Sequence, residues 1–496
     1  MPKYGAPVRQ LFLWSTGLAG TWLFHEGFYL PIVVSAAAIA LVTWHLLSLY
    51  KQSRVGPLTL LLYVSYALPF IHVLPYIWFD FDAESPLILW GLAVNPYMTE
   101  KAIIELMSMM GAVGAAGFAA GASLLQGKLS IGLSSEVIFR YRPCGKTLSM
   151  PVFLAWVVIA IILTWISAPA DTVFTAVYTE SEAITANWNF SSAWMFSYAF
   201  LVFALADSMF ESSPRIGKLK RRIVLYAILL IVIWFQLLRG DRESLPFVLA
   251  ALLMYYVWGK GLLGSAKDRV KLNLPMMFLF VFVVFVAAYL VAALRYSLTG
   301  VSSISDLINV ISDLGGAGAF QFDTFITGTW SAVLLTPLSV AGDHINGSLP
   351  LKYGQTYLDL LGSIVPGFVA DWIGYARPID SMKGPAWEMT YGQGGTHAVV
   401  VPFVDFRIVG VFMIVGLWSF AFAKIERFAV KHLTVSNLAL LGVIAMAIPH
   451  WLWYGEKNIM NALIIWLMLS VFYRVRLANS AVQSPGGSYQ PSQTSF

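Results

Sequence analysis

The sequence predicts an all-α polytopic membrane protein of about twelve transmembrane helices, with both termini cytoplasmic and one large outward loop. Three observations carry that expectation. The chain is 58% hydrophobic and 11% charged, with a mean hydropathy of +0.73, a composition of membrane proteins rather than globular ones. Apolar stretches of spanning length recur along it. The segments between them alternate between basic and acidic.

Taken in order, a shorter candidate at 11–24 is followed by stretches near 27–50, 57–79, 102–125, 149–169, 191–210, 223–239, 244–263 and 274–295. After a long interval come 398–423, 437–454 and 458–474. Lys and Arg are retained on the cytoplasmic side, so the basic connections fall inside: Lys51 and Arg54; Lys128, Arg140, Arg142 and Lys146; Arg215 to Arg222; Lys267 to Lys271; Lys424 to Lys431; Arg474 and Arg476. Acidic connections fall outside, with Asp80, Asp82, Glu84 and Glu100, then Asp171, Glu180 and Glu182. The expected organisation is an N-terminal bundle over 1–295, a large outward loop over 296–397, C-terminal spans over 398–474 and a Ser/Gln/Gly/Pro-rich disordered tail over 475–496. Single Cys144 offers neither an internal disulfide nor a Cys-based metal cluster, and the first apolar stretch lacks a small-residue cleavage site, so no cleaved leader is expected.

Within the large loop, Ile304, Leu307, Ile308, Ile311 and Leu314 form one stripe behind a Ser303–Asp306 capping pattern, an amphipathic helix lying on the membrane surface. A full span at 325–341 would place 342–397 inside, although that stretch is richer in acids than in bases; 316–341 is therefore read as re-entrant or buried in the loop's own fold. Gly117-Phe-Ala-Ala-Gly121 is a small-residue pattern for helix packing, within or between chains.

The chain has no GxxxxGK[ST] phosphate loop and no HExxH, so neither a nucleotide-driven pump nor a metal site is expected, and no cofactor. The outward face instead carries arginines that topology does not require. Arg239, Asp241 and Arg242 sit in a hairpin too short to be a domain, with the next helix beginning near Ser244–Pro246. Arg295 and Tyr296 end a span, and Arg377 is followed by Lys383. A guanidinium presents a planar fork of donors that matches phosphate and stays charged, and a helix N-terminus adds positive potential. Arg239, Arg242, Arg295, Tyr296, Arg377 and Lys383 are thus candidates to bind a phosphate, against the alternative of ordinary interfacial anchors paired with nearby acids. His397, after a glycine-rich stretch, is a candidate base or orienter; Asp241 and Glu388 are alternative carboxylate bases. His344 and Glu456 are less specific candidates, Lys101 and Glu105 read as an i,i+4 surface pair, and Asp405 with Arg407 as a buried ion pair.

Three stretches resemble the Wzy-type O-antigen or oligosaccharide repeat-unit polymerases: Leu237-Leu-Arg-Gly-Asp-Arg242; Ile364-Val-Pro-Gly-Phe368 followed by Arg377-Pro378; and Gly395-Thr-His397 through Phe403-Val-Asp-Phe-Arg-Ile-Val-Gly410, where Arg407 replaces a glycine of the family's pattern. The resemblance implies a GT-C-like, metal-independent glycosyltransferase of the bacterial inner membrane with its active site facing the periplasm. Its substrates would be polyprenyl-diphosphate-linked oligosaccharides, with membrane lipids and a chain-length-regulating co-polymerase as further partners and no nucleic acid. Arg239, Arg242, Arg295 and Arg377 would stabilise the diphosphate leaving group. The O-antigen ligase class shares this layout. A lipid-linked oligosaccharide flippase would instead place charges along a central path through several spans.

Overall fold

A computed structural model describes residues 5–52, 54–79, 97, 100–125, 147–166, 193–210, 322–363, 372–375, 397–454 and 457–482, with isolated positions 223, 250, 253, 305, 308, 309 and 312. Among these residues there are eleven helices and no strand. They are α1 (Gly5–His25), α2 (Ile32–Lys51), α3 (Pro57–Phe79), α4 (Lys101–Ser123), α5 (Met150–Ile166), α6 (Ala193–Phe210), α7 (Phe322–Ile345), α8 (Gln355–Ser363), α9 (Val400–Lys431), α10 (Val435–Tyr454) and α11 (Lys457–Val482). Three of them, α2, α4 and α9, are long and apolar enough to cross a membrane. Helices stand at or near the expected stretches wherever those fall on described residues; the stretches at 223–239, 244–263 and 274–295 lie outside them.

The core is organised around α4, which packs against α1, α2, α3, α7 and α9. Residues 106–122 of α4 are buried without a break, so this helix has no solvent or lipid face over that length. Its composition explains how: Gly117 lies against the Phe412 carbonyl and Gly121 against the Gly416 carbonyl, where a Cβ would collide with the backbone of α9. The small-residue pattern therefore packs two helices of one chain at backbone contact. A second group, α5, α6, α10 and α11, joins the first through α10, which packs on α3 and α9. Hydroxyls bind these helices internally: Thr164 to Ser197 (2.6 Å), Ser436 to Ser470 (2.5 Å), and the Trp466 indole N–H to the Ser436 carbonyl (2.8 Å). Asp207 of α6 accepts from the Leu148 N–H (3.0 Å) and the Tyr473 hydroxyl (2.7 Å), fastening α5 and α11 at one level.

The bundle has two distinct ends. At the lower end, Arg427 donates to the carbonyls of Arg54 (2.7 Å) and Leu125 (3.2 Å), so three connections expected inside meet there. At the upper end, Tyr97 donates to Asp343 (2.8 Å) and the Phe24 ring stacks on His344 at 5.2 Å, so segments expected outside also meet.

Two features go beyond the sequence reading. The segment expected as re-entrant or folded within the outward loop is a 24-residue helix, α7, packed on α3 and α4, with Val333, Leu334, Leu338, Val340 and Ala341 buried. Its apolar residues at helical spacing pack against α3 and α4. The stretch expected as a single span from 398 is broken at Arg407, which has φ 57° and ψ −150°. The chain bends so sharply there that the Pro402 carbonyl lies against Gly410, eight residues on, where a straight helix would separate them by about 12 Å. The helix below the bend, 408–431, is about 36 Å long at 1.5 Å per residue, while 397–406 forms a separate short limb beside it.

Candidate functional site at the upper end

The limb 397–406 begins deep inside the bundle. His397 is fully buried, and its Nε2–H donates to the Tyr66 carbonyl (3.0 Å) while Nδ1 accepts from the Val399 N–H (3.3 Å). That assignment follows from the partners, since a carbonyl only accepts and a backbone N–H only donates. The ring is flanked by Tyr66 and Phe70, at centroid distances of 5.1 and 5.0 Å. Tyr66 lies eight residues, about 12 Å, along α3 from Leu58 at the lower end. In this arrangement His397 orients the limb, with both ring nitrogens occupied and no surface exposed to a substrate.

From there the limb climbs to the upper end. Phe403 packs edge-on against Phe24 and His344, at 5.9 and 5.4 Å. Asp405 Oδ1 accepts from the Thr356 hydroxyl (2.9 Å) and, at 3.4 Å, from its N–H, while buried Oδ2 has no hydrogen-bond partner. The Lys352 N–H reaches the Val404 carbonyl at 3.4 Å, which fixes the 349–356 turn on the limb.

Arg407 closes the limb. One Nη2–H donates to the Leu349 carbonyl (2.7 Å), and Nη1 lies 3.4 Å from the carbonyls of both Phe403 and Val404. These last two are carbonyls that the bend deprives of helical partners, so the guanidinium acts as a cationic C-terminal cap for its own short limb. The expected Asp405–Arg407 pair does not form: the aspartate turns to α8 and the arginine to backbone carbonyls. The neighbouring carboxylates are likewise bound by neutral donors, Asp343 by Tyr97 and Asp359 by the Gln355 amide (2.7 Å). Among the described residues the ion pair present is Lys101–Glu105 at 3.7 Å, the expected i,i+4 surface pair. The hydrogen bond to Asp343, reinforced by partial burial and the negative charge, raises the Tyr97 phenol above its ordinary pKa.

Backbone strain gathers at the same place. The two non-glycine residues with positive φ among the described residues are Arg407 and Tyr353 (φ 50°), and Gly354 (φ 86°) adjoins Tyr353 with Phe406 against it. A non-glycine residue in such a region costs about 1–3 kcal/mol and persists only where its surroundings enforce it.

Of the candidates read from the sequence, the structure places His397 in the interior and His344 at the upper end against Phe24 and Phe403. Arg239, Asp241, Arg242, Arg295, Tyr296, Arg377, Lys383 and Glu388 lie outside the described residues, as does Glu456. Arg407 was read only as half of an ion pair. The available signal was its place in a pattern where glycine is usual, because a glycine there marks a backbone that takes positive φ. In comparisons with known families, curated proteins and solved structures, the chain matches no family model, no curated protein and no solved structure.

Proposed function

We propose that this chain polymerises polyprenyl-diphosphate-linked oligosaccharide repeat units on the outer face of the bacterial inner membrane. The growing glycan leaves its lipid diphosphate for a new lipid-linked unit. A hydroxyl of the acceptor sugar attacks the anomeric carbon of the donor, and the C–O bond to the diphosphate breaks with its electron pair. A carboxylate takes the hydroxyl proton, with Asp241 and Glu388 as candidates; His397, buried with both ring nitrogens occupied, keeps the orienting role. The energy resides in the sugar–diphosphate bond, so no nucleotide is required.

The observation that carries this reading is the set of arginines in connections expected to face outward, Arg239, Arg242, Arg295 and Arg377, three of them in or beside segments resembling the polymerase family. About twelve spans with both termini inside form part of the same proposal. The meeting of like-charged connections at common ends of the bundle supports it. So does the concentration of strain and unpaired charge at the end expected to face outward.

The test is the size distribution of surface glycan in a strain lacking the protein, complemented with wild type or with Arg242→Ala. Polymerase loss leaves lipid A core capped by a single repeat unit, and Arg242→Ala reproduces that pattern at normal membrane abundance. Complete disappearance of repeat-unit glycan from the surface would instead assign the chain to ligation or flipping.

A further inference from the structure

Among the described residues, two cations at the upper end, Arg407 and Lys352, form no ion pair. Arg407 is half-buried, and its partners are three backbone carbonyls and the Phe403 ring, whose centroid lies 5.6 Å from the guanidinium carbon. Carbonyl dipoles satisfy N–H groups but carry no net negative charge. A guanidinium has five N–H donors. The Leu349, Phe403 and Val404 carbonyls engage Nη1 and one N–H of Nη2, leaving Nε–H and one Nη2–H without a partner among the described residues. Two N–H groups of one guanidinium are what the oxygens of a phosphate engage. Lys352, half-buried in the turn clamped to the limb, forms no ion pair with Asp405 nearby. Among the described residues the carboxylates of this end, Asp343, Asp359 and Asp405, take hydrogen bonds from Tyr97, Gln355 and Thr356 rather than from either cation.

Chemistry and strain coincide. At a backbone position suited to glycine, the chain carries the one side chain with a permanent charge and a planar donor fork. Capping alone does not explain the choice, since a glycine would remove the strain and leave the freed carbonyls to water at this half-exposed end. We propose that Arg407, assisted by Lys352, seats a phosphate group at the upper end of the bundle, where the limb 397–406 ends. The guanidinium edge binds two phosphate oxygens and the lysine ammonium supplies the second charge. The seat belongs to this chain rather than to the resemblance, which has glycine at this position. It does not depend on glycan transfer, so it stands or falls separately from the polymerase reading.

The experiment is thermal protection of the purified full-length protein by three probes: inorganic diphosphate, farnesyl diphosphate in detergent, and nanodiscs of phosphatidylglycerol compared with phosphatidylcholine. A ligand that binds the folded state raises its midpoint in a saturable way. At least one probe protects the wild type, and Arg407→Gly weakens it by at least about tenfold, the lower range for a lost charge-assisted contact. Arg407→Gly suits the folded backbone, and Lys352→Gln provides an independent variant with a smaller loss of the same sign. Protection by both diphosphates assigns the seat to the diphosphate group itself. Protection by farnesyl diphosphate alone assigns it to a lipid-linked diphosphate, and protection confined to phosphatidylglycerol assigns it to a phospholipid headgroup. Absence of protection by every probe overturns the proposal, and so does a probe that protects Arg407→Gly and wild type at the same concentration.

Discussion

At the lower end of the bundle a buried carboxylate, Glu426, receives the Leu58 N–H (2.9 Å), the Thr59 N–H (3.2 Å) and the Thr59 hydroxyl (3.0 Å). At the upper end the buried carboxylate of the same helix, Asp405, binds through one oxygen and leaves the other bare. Each has an arginine close by that bonds to backbone carbonyls. Arg427 bridges the ends of two other helices, whereas Arg407 sits in a strained conformation and caps the limb it belongs to. The lower end is built as a fastening. Its anion lies at the N-terminus of α3, where four N–H groups lack helical partners and the dipole favours negative charge. Neither end joins its carboxylate to its arginine in an ion pair; the upper end differs in its backbone strain and in the carboxylate oxygen left without a donor. Stability does not require that arrangement, so the contrast separates a structural end from a candidate working end.

The comparison is broken most severely at Glu426. Replacing it with Ala leaves two N–H groups and a hydroxyl of α3 unpaired in a buried site, at about 1–3 kcal/mol for each unsatisfied donor that water cannot reach. The expected result is a protein that fails to accumulate in the membrane or melts far below wild type in detergent. Accumulation and melting like wild type would show that water replaces the carboxylate and that the lower end is not the fastening described.

Next in size is the backbone contact between α4 and α9. Gly121→Val pushes a branched side chain into the Gly416 carbonyl, and the helices must separate or shift at a cost of about 1–3 kcal/mol. The loss appears as a lower melting temperature together with altered function, because the upper half of α9 carries Arg407. A neutral result would mean that the two helices slide without penalty, which close packing makes difficult.

Much of this was legible in the sequence. Hydrophobic runs located helices such as α3 and α4, since a length of apolar residues and its polar ends are local properties. The glycines of α4 announced a close contact but not its partner, because the partner lies nearly 300 residues away in α9, a separation that periodicity does not encode. The break at Arg407 was hidden because 398–423 reads as one apolar run. Hydropathy averages over a single charged pair, and backbone reversal depends on how the 349–356 turn grips the limb. The pairing of Asp405 with Arg407 was inferred from proximity in sequence. Residues two apart on a helix do not face each other, and the bend turns them further apart. The candidate phosphate-binding arginines remain an inference from the sequence, because they lie outside the described residues.

Two substitutions at one position sharpen the contrast without disrupting the fold. Arg407→Gly and Arg407→Ala both remove the guanidinium and its three carbonyl contacts, but only glycine relaxes at φ 57°. The glycine variant should therefore be the more stable by about 1–3 kcal/mol, read from paired melting curves. Both should lose activity to a similar extent if the side chain has a function. Equal melting of the two would place the strain elsewhere. Full activity in the glycine variant would reduce Arg407 to a cap.

The smallest effect expected is a pH dependence at the clasp between Tyr97 and Asp343. The hydrogen bond and the adjacent charge hold the phenol protonated to higher pH than in an unfolded chain. A raised folded value means that the clasp contributes fully below the ordinary phenol pKa and is lost as pH rises through the raised one. Tyr97→Phe retains a ring against Gly342 but removes the bond, so its stability deficit relative to wild type should be constant near neutrality and vanish in the alkaline range. Melting curves of the two proteins across that range measure the difference directly. Absence of a deficit at any pH would mean that Tyr97 acts through packing alone, and the upper end would then be fixed by Arg407 and the 349–356 turn without this clasp.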